Sequence, residues 1–431
     1  MSENEHTPRH VKWFRDSSPY INAHRGRTFV IHVDGAGLDH DNFPLIIQDI
    51  VLLHSLGVRI VLVHGATPQI NRQLEQRGIV SESAEGIRIT TAEMLPHVQE
   101  VVGRLRSDIE SMLSMGATNS PQHGADVAVV SGNIIRARPL GVRDGIDFHN
   151  TGEIRRVNAD LIARLLSMRT LLLVSPLGYS LSGQMFNLHG SALAADVAVA
   201  LGADKLIYLA SDNGVPDTDG TVITELQADS IDPSDYPAYS PVAQAREACS
   251  RGVPRCHLIS FRDDGSLLEE LFTRDGIGTQ ITEISYEQIR SAAADDISGI
   301  MELIAPLEAN GSLVKRPRET LETEISRFLV IERDGMVVGC AALFPYDTHA
   351  ELACLATHPE YRNDNRGEAL LAATEANART LGVKTIFVLT THTAEWFTDH
   401  GFVPGGTTDL PREKRALYNY QRNSRVLIKT L

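Results

Sequence analysis

Cysteine is scarce in this chain of 431 residues, which contains only four. Cys249, Cys256, Cys340 and Cys354 form no CxxC pair and have no closely spaced set of histidines. This spacing argues against a structural zinc site and a disulfide framework, and it favours a reducing compartment. We therefore predict a cytoplasmic location and no metal site.

Long apolar runs and an excess of positive charge are also missing. The longest apolar runs, such as LLLVSP, are far short of the ~20 residues that a membrane-spanning helix needs. Lys and Arg total 40 against 55 Asp and Glu, which gives a formal net charge of -15. This balance argues against wrapping nucleic acid or anionic lipid, so we predict neither partner. Any phosphate site must then be local.

Two kinds of pattern divide the chain. From about residue 27 to 280, short apolar runs such as TFVIHVDG, RIVLVHG and KLIYLAS alternate with helical stretches. Buried strands joined by crossover helices predict an α/β sandwich with a mostly parallel sheet. Residues 11–25 carry aromatics ahead of this pattern and predict an added amino-terminal helix.

The pattern changes near residues 282–286. The helical segments ADDISGIMELIAPLEANG and RETLETEISR precede two β-type runs that flank Asp334-Gly335, a dipeptide typical of hairpin turns. A helix that ends at Gly382, the strand TIFVLT and a final strand RVLIKTL complete a smaller α+β unit. The predicted organisation is a helical arm over residues 1–26, one domain over 27–282 and another over 286–431.

The stretch CLATHPEYRNDNRGEALL connects a predicted strand to a predicted helix. A helix opening leaves backbone N–H groups without partners and carries the positive end of the macrodipole, so it attracts phosphate. Arg362, Arg366 and the backbone amides from Asn365 to Glu368 would offer a pyrophosphate both charge and donors. On its own, such a loop is more often an ordinary connection with solvated arginines.

The order of elements around this loop resembles the GNAT acyl-CoA-dependent N-acetyltransferases. Their loop pattern, Gln/Arg-x-x-Gly-x-Gly/Ala, is matched by Arg362 and Gly367, while Asn365 replaces the first glycine. Asparagine tolerates the positive φ that the glycine would adopt. The resemblance implies acetyl-CoA as a co-substrate and not as a permanent cofactor. It places the acetyl-CoA site at Cys354, Leu355, Ala356, Arg362, Asn365, Arg366, Gly367 and Glu368.

Amine acetylation sets the remaining requirements. The amine must lose a proton, directly or through water, and Glu351 is an isolated carboxylate within the apolar alternation AELACLA. The alternative is that Glu351 faces water. The leaving thiolate needs a hydroxyl donor, for which VLTTHT offers Thr390 and Thr391, and we favour Thr390. Cys354 fits a small core residue better than a nucleophile, because direct transfer needs no acyl-enzyme.

An amino-acid-kinase-like half followed by a GNAT half resembles the bacterial N-acetylglutamate synthases. The segments LLEELFTRDGIGTQI, PLEANGSLVKRPRETLE and YQRNSRVLIKTL carry this resemblance. It implies that L-glutamate and acetyl-CoA give N-acetyl-L-glutamate and CoA, the first step of arginine biosynthesis. The implied glutamate ligands are Arg316, Arg422 and Ser424, and planar guanidinium groups suit carboxylates.

The same resemblance makes the first domain a regulatory one. Related kinases carry a Lys and an Asp where this chain has His32 and Ser191, which argues against phosphoryl transfer. Arginine-sensitive relatives imply feedback inhibition by L-arginine and a homo-oligomer, such as a hexamer, built through the amino-terminal helix. The implied arginine ligands are Tyr20, Glu270, Phe272 and Gly276.

Two other readings stay open at this point. The first is a kinase of an acylated amino acid with an appended acyl-CoA module, against which His32 and Ser191 count. The second is a non-catalytic arginine-binding regulator, against which Glu351, Arg316 and Arg422 count.

Overall fold

The computed structural model describes residues 8–114, 127–273, 276–283, 287–333, 336–361, 365–416, 418 and 424–431. The chain divides into two compact units, residues 1–284 and 285–431, and each is described by itself. The predicted hairpin turn Asp334-Gly335 and residues 284–286 at the predicted boundary lie outside the described residues.

A large sheet forms the centre of the amino-terminal unit. Its central strand, Thr28–Val33, pairs in parallel with Arg59–His64 on one side and Lys205–Ala210 on the other. Arg255–Ser260 pairs antiparallel with Thr279–Thr282, so the sheet is mostly but not wholly parallel, as predicted. In spatial order its strands are Glu225–Gln227, Thr279–Thr282, Arg255–Ser260, Lys205–Ala210, Thr28–Val33, Arg59–His64, Leu171–Val174 and Val129–Val130.

Apolar residues bury both faces of this sheet. Side chains such as Val30 and Ile31 alternate between two large hydrophobic clusters. The described α-helices of the unit are Arg9–His24, Gly35–Leu38, Phe43–Ser55, Thr67–Gln76, Met94–Ser114, Ala159–Ser167, Gly190–Leu201, Pro241–Ser250 and Ser266–Phe272. A smaller sheet has the strand order Met185–Asn187, Leu177–Tyr179, Ile135–Pro139 and Gly152–Val157. Short hairpins pair Ser83–Ala84 with Ile87–Arg88, Val142–Arg143 with Ile146–Asp147, and Val215–Pro216 with Val222–Ile223.

The predicted amino-terminal helix is confirmed as Arg9–His24. It docks on its own unit because His24 Nε2 lies 2.8 Å from the carbonyl oxygen of Leu271. Trp13 and Phe14 on the same helix remain 51% and 62% exposed. None of the described helices is long and apolar enough to cross a membrane.

The carboxy-terminal unit is a seven-stranded sheet with helices against it. In spatial order its strands are Glu287–Ser291, Phe328–Arg333, Met336–Tyr346, His349–Thr357, Thr385–Thr390, Arg425–Thr430 and Val403–Gly405. The described α-helices are Ile297–Ala309, Arg318–Glu324, Arg366–Thr380, Ala394–Asp399 and Arg412–Ala416. The predicted helices and strands of this unit are present, and Gly382 follows the long helix with φ +77°. The edge strand Glu287–Ser291 was not predicted.

Three histidines are buried within the strands of the large sheet. Burial, assisted by His189 and His64, lowers the pKa of His32 to about 3. Burial also lowers the pKa of His64 to about 4, and burial together with Lys205 lowers that of His257 to about 4. All three are therefore neutral in the folded chain at neutral and mildly acidic pH.

These histidines predict a loss of stability in mild acid. Below the reference pKa of 6.5 the unfolded chain binds protons that the folded chain excludes until pH falls to about 4. The three together should lower the free energy of unfolding by roughly 4 kcal/mol per pH unit within this window. Calorimetry of the full-length protein at pH 5 should show that His32→Phe binds one fewer proton on unfolding. Exposed His149→Gln is the control, and an unchanged proton uptake for His32→Phe would contradict the assignment.

Candidate active site

Two neighbouring strands of the carboxy-terminal sheet separate part of the way along their length. His349–Thr357 and Thr385–Thr390 pair in parallel only from His349 to Glu351, although both strands are described throughout. Cys354 has φ +51°, and the register with Met336–Tyr346 shifts beside it, which indicates a bulge. The backbone of Cys354, Leu355 and Ala356 is therefore left unpaired by the neighbouring strand and lines a cavity of about 810 Å³.

The helix Arg366–Thr380 opens onto this cavity. Its N-cap residue, Asn365, has φ +54°, so the left-handed conformation expected from the sequence is confirmed. Among the described residues no side chain caps the first turn, and the start of the helix lies at the mouth of the cavity. A Cβ atom on Gly367 would lie 3.3 Å from Trp396, so glycine suits this close approach.

Two side chains at the mouth of the cavity, Arg366 and Glu368, already contact other residues of the same unit. The buried guanidinium of Arg366 forms an ion pair with Glu287, with Nε 2.8 Å from the carboxylate, and donates to the carbonyl oxygen of Tyr361. Glu368 lies 3.3 Å from Nε2 of His400. The predicted charge of Arg366 is thus balanced by Glu287, and its backbone N–H is the group placed at the helix opening. Arg362 lies outside the described residues.

Glu351 projects into the cavity from the point where the strands separate. Its side chain is 8% exposed, so the alternative that it faces water is wrong. Lys414 Nζ lies 2.6 Å from Glu351 Oε2 and also lines the cavity. Lys414 was missed because the segment REKRA reads as a solvated helix face, and no local pattern links it to a strand 63 residues earlier.

The two candidate hydroxyl donors are distinguished by their surroundings. Thr390 lines the cavity, and its Oγ1 accepts a hydrogen bond from the backbone N–H of Thr393 at 3.1 Å. Thr390 Oγ1 also lies 2.8 Å from Thr393 Oγ1. The Thr391 hydroxyl is buried, has no hydrogen-bond partner among the described residues and does not line the cavity. This geometry favours Thr390.

The predicted glutamate ligands converge on the same cavity where they are described. Arg316 Nη1 donates to Cys354 Sγ at 2.9 Å, and its guanidinium lies 5.4 Å from the ring centroid of Phe344. Ser424 is buried, and its carbonyl oxygen accepts from the Tyr418 hydroxyl at 2.6 Å. Both line the cavity, whereas Arg422 lies outside the described residues.

Cys354 is a thiol rather than a nucleophilic thiolate. Its side chain is buried, and burial raises its pKa to about 11 despite the neighbouring Arg316. The other three cysteines are also buried free thiols. Cys354 therefore offers no activated sulfur to attack the acetyl group.

A second group of predicted residues lies in the amino-terminal unit. Glu270 is buried, with Oε1 2.6 Å from His257 Nδ1, and Oε2 accepts from the backbone N–H groups of Ile277 and Gly278. Burial alone would raise the pKa of Glu270, but the hydrogen bonds from His257 and the backbone outweigh it and lower the pKa. Gly276 has φ +61°, and a Cβ there would lie 2.5 Å from Glu270 Oε2.

Two polar residues missed by sequence reasoning extend this group. Lys205 Nζ lies 3.0 Å from His257 Nε2 and completes a buried row of Lys205, His257 and Glu270. Because an ammonium can only donate, His257 carries its proton on Nδ1 and presents it to Glu270. A Lys and a His inside the apolar strands KLIYLA and RCHLIS were the available signal. Phe272 and Tyr20 pack in one hydrophobic cluster of the same unit.

Neither of the two positions that carry a Lys and an Asp in related kinases carries a charge here. His32 is neutral, and its Nε2 has no hydrogen-bond partner among the described residues. Ser191 Oγ donates to the carbonyl oxygen of Tyr239 at 2.6 Å. No described cluster of His, Cys, Asp and Glu could hold a metal ion.

Two family models match the chain. The amino acid kinase family matches residues 27–260, and the acetyltransferase (GNAT) domain matches residues 324–404. The first match lies within the amino-terminal unit and the second within the carboxy-terminal unit. The predicted fold of each unit is confirmed.

Relatives and solved structures match nearly the whole chain. The amino-acid acetyltransferases of Pseudomonas putida and Azotobacter vinelandii are each 49% identical to it, covering 98% of this chain and 100% and 99% of their own. N-acetylglutamate synthase from Neisseria gonorrhoeae, complexed with coenzyme A and L-arginine, matches with a TM-score of 0.90 at 37% identity, over 98% of this chain and 99% of that one. The same enzyme complexed with coenzyme A and N-acetyl-glutamate matches with a TM-score of 0.62, at the same identity and coverage. The chain therefore belongs to the amino-acid acetyltransferase family.

Proposed function

We propose that this enzyme transfers the acetyl group of acetyl-CoA to the α-amine of L-glutamate. The products are N-acetyl-L-glutamate and CoA, which makes the reaction the first step of arginine biosynthesis in the cytoplasm. The observation that carries the proposal is a single cavity joining the uncapped helix opening at Asn365 to the buried carboxylate of Glu351. Residues 286–431 form the acetyltransferase domain, and residues 27–282 form the regulatory domain.

Acetyl-CoA lies along the separated strands in this proposal. Its diphosphate accepts hydrogen bonds from the backbone N–H groups at the start of Arg366–Thr380, where the helix dipole favours negative charge. The pantetheine arm follows the backbone of residues 354–356, and Arg362 is assigned to acetyl-CoA binding by the loop pattern alone. The thioester carbonyl thereby reaches the level of Glu351 and Thr390, which line the same cavity.

The transfer proceeds directly from thioester to amine. Glu351 accepts a proton from the α-ammonium group, directly or through a water, and the neutral amine attacks the thioester carbonyl carbon. The C–S bond breaks as the C–N bond forms, and the leaving sulfur takes a proton from Thr390 Oγ1, which is replaced by the second proton lost from the substrate nitrogen. Two protons leave the ammonium in total: one is balanced by the thiol of CoA and the other is released. Backbone N–H donation to Thr390 Oγ1 makes its hydroxyl a better donor.

Glutamate is selected by cations in the cavity wall. The substrate carries two carboxylates, and Arg316, Arg422 and Ser424 supply guanidinium and hydroxyl donors for them. The guanidinium of Arg316 contacts Phe344 and the Cys354 thiol, both neutral, while the backbone N–H of Arg316 donates to Glu308 Oε1 at 2.8 Å. The N-acetyl-glutamate complex of the Neisseria enzyme supports this choice of substrate.

Substitution of the two threonines tests the donor to sulfur. Thr390→Ala should lower kcat by about 10-fold, because one hydrogen bond to developing thiolate charge is lost. Thr391→Ala should leave kcat within about 2-fold, because its hydroxyl lies away from the cavity. Thiol release at saturating substrates measures both. A larger effect for Thr391→Ala would reverse the assignment.

L-arginine binds in the amino-terminal unit and inhibits transfer in this proposal. Glu270 supplies the carboxylate, Tyr20, Phe272 and Gly276 form the surroundings, and His257 and Lys205 hold Glu270 from behind. The Neisseria enzyme complexed with L-arginine supports an arginine site in this family. The exposed Trp13 and Phe14 support a homo-oligomer, such as a hexamer, built through the helix Arg9–His24. Molar mass in solution, with and without arginine, tests that assembly.

One assay separates the proposed function from its rivals. Purified protein is mixed with acetyl-CoA and L-glutamate, and free thiol and N-acetyl-L-glutamate are followed together. The proposal expects equal amounts of both products and a fall in rate on addition of L-arginine. Absence of thiol release would support a non-catalytic regulator. Consumption of ATP in the presence of N-acetyl-L-glutamate would support a kinase.

A further inference from the structure

An ion pair occupies the wall of the acetyltransferase cavity. Lys414 Nζ and Glu351 Oε2 are 2.6 Å apart, with side chains that are 20% and 8% exposed. Removing both charges from water is costly, and a buried pair is weak support for stability. Its position in the cavity therefore points to a role in binding.

A second ion pair of the same unit provides a comparison. Lys429 Nζ and Glu375 Oε1 are 2.5 Å apart, with side chains that are 23% and 10% exposed. Neither residue lines the cavity. The two pairs thus match in geometry and burial, and they differ in access to substrate.

We propose that Lys414 binds the α-carboxylate of the amino-acid substrate while Glu351 receives its α-ammonium. This inference rests on the proposed function and assigns one further residue to the acceptor site. An α-amino acid carries a cation and an anion on one carbon, and the Glu351–Lys414 pair presents an anion and a cation side by side. The substrate zwitterion and the ion pair are therefore complementary.

When the substrate binds, Lys414 exchanges Glu351 for the substrate α-carboxylate, and this exchange frees Glu351 to act as the base. While Lys414 Nζ pairs with Glu351 Oε2, this carboxylate oxygen is occupied by the ammonium of Lys414. A bound α-carboxylate draws the ammonium of Lys414 away from Glu351. Proton removal is thereby favoured only when an amine with an adjacent carboxylate occupies the cavity.

Arg316 serves the other end of the substrate. It contacts Cys354, which lies three residues beyond Glu351 on the same strand, so Arg316 and Lys414 line different parts of the cavity wall. The two cations, Arg316 and Lys414, can therefore bind the two carboxylates of one substrate. Removal of the α-carboxylate from glutamate gives 4-aminobutanoate, which keeps the amine and the distal carboxylate. A comparison of these two acceptors isolates the contribution of Lys414.

The test uses full-length protein carrying Lys414→Met or the matched control Lys429→Met. Rates of acetylation of L-glutamate and 4-aminobutanoate are measured at saturating acetyl-CoA, with products quantified by mass spectrometry. Lys414→Met should lower kcat/KM for L-glutamate by about 10- to 100-fold, the usual effect of losing a charged hydrogen bond. It should not lower kcat/KM for 4-aminobutanoate, because this acceptor has no α-carboxylate and Glu351 is then unpaired. Lys429→Met should leave kcat/KM unchanged for both acceptors.

Two further readouts guard against a merely structural effect. The KM for acetyl-CoA should stay unchanged in Lys414→Met, and Lys414→Arg should restore part of the preference for L-glutamate, since a guanidinium also binds carboxylate. An equal loss for both acceptors would overturn the inference, because Lys414 would then act through Glu351 alone. Failure of the unmodified enzyme to acetylate L-glutamate would instead overturn the proposed function.

Discussion

Glu351→Gln is expected to lower kcat with L-glutamate by roughly 10²- to 10⁴-fold, the usual contribution of a positioned general base. Glutamine keeps the shape of the side chain but cannot accept the proton of the α-ammonium group. The variant should still bind acetyl-CoA, because the diphosphate is held at the start of the helix Arg366–Thr380. Thiol release at saturating substrates measures kcat, and the KM for acetyl-CoA should stay nearly constant.

The pH dependence of the same variant separates a lost base from a damaged site. Its rate should keep rising with pH as free glutamate amine deprotonates in solution, since the variant must wait for an amine that is already neutral. Glu322→Gln is a suitable control, because Glu322 is an exposed residue of the same unit that pairs with Arg318. Retention of more than about a tenth of the normal kcat by Glu351→Gln would contradict its role as the base.

Glu270→Gln is expected to weaken inhibition by L-arginine by about 10- to 100-fold while kcat without arginine stays unchanged. Glutamine keeps one acceptor oxygen for the N–H groups of Ile277 and Gly278 and removes the negative charge that a guanidinium needs. Its amide nitrogen cannot accept the hydrogen bond from His257 Nδ1. Glu269→Gln is a matched control, because the neighbouring Glu269 is exposed on the same helix. Unchanged inhibition in Glu270→Gln would place the arginine site elsewhere.

Direct binding distinguishes a lost arginine site from lost communication. Calorimetric titration of L-arginine into Glu270→Gln should show weaker binding by the same factor as the weaker inhibition. Normal binding with lost inhibition would mean that Glu270 transmits the signal rather than holding the ligand. Thermodynamic linkage adds a further requirement. If L-arginine weakens the binding of a substrate, that substrate must weaken the binding of L-arginine by the same factor.

The pattern of apolar residues along the sequence was sufficient to predict most of the fold. Runs such as IVLV in Arg59–His64 and LIYL in Lys205–Ala210 are apolar because both faces of their strands are buried, so these strands were predictable. The left-handed conformation of Asn365 followed from its place at the first glycine of the GNAT loop pattern, because asparagine tolerates positive φ. The edge strand Glu287–Ser291 has no burial alternation to reveal it, because its residues are exposed or half-buried.

Pairs of charges distant in sequence could not be predicted in the same way. Glu351 with Lys414, and Arg366 with Glu287, are separated by 63 and 79 residues. Their contacts are set by how the strands and helices pack, and helical or strand periodicity carries no information about that. Arg366 illustrates the consequence, since the sequence suggests a phosphate donor and the structure turns its guanidinium to Glu287.

The account depends on one cavity in which a coenzyme diphosphate and an amino-acid amine meet. A crystal structure of the enzyme with CoA and N-acetyl-L-glutamate tests this most directly. We expect the diphosphate at the backbone N–H groups of residues 366–368, and the amide nitrogen within roughly 3 Å of the Glu351 carboxylate, or about 6 Å through one water. A diphosphate bound away from this helix opening, or a product nitrogen remote from Glu351, would contradict the account.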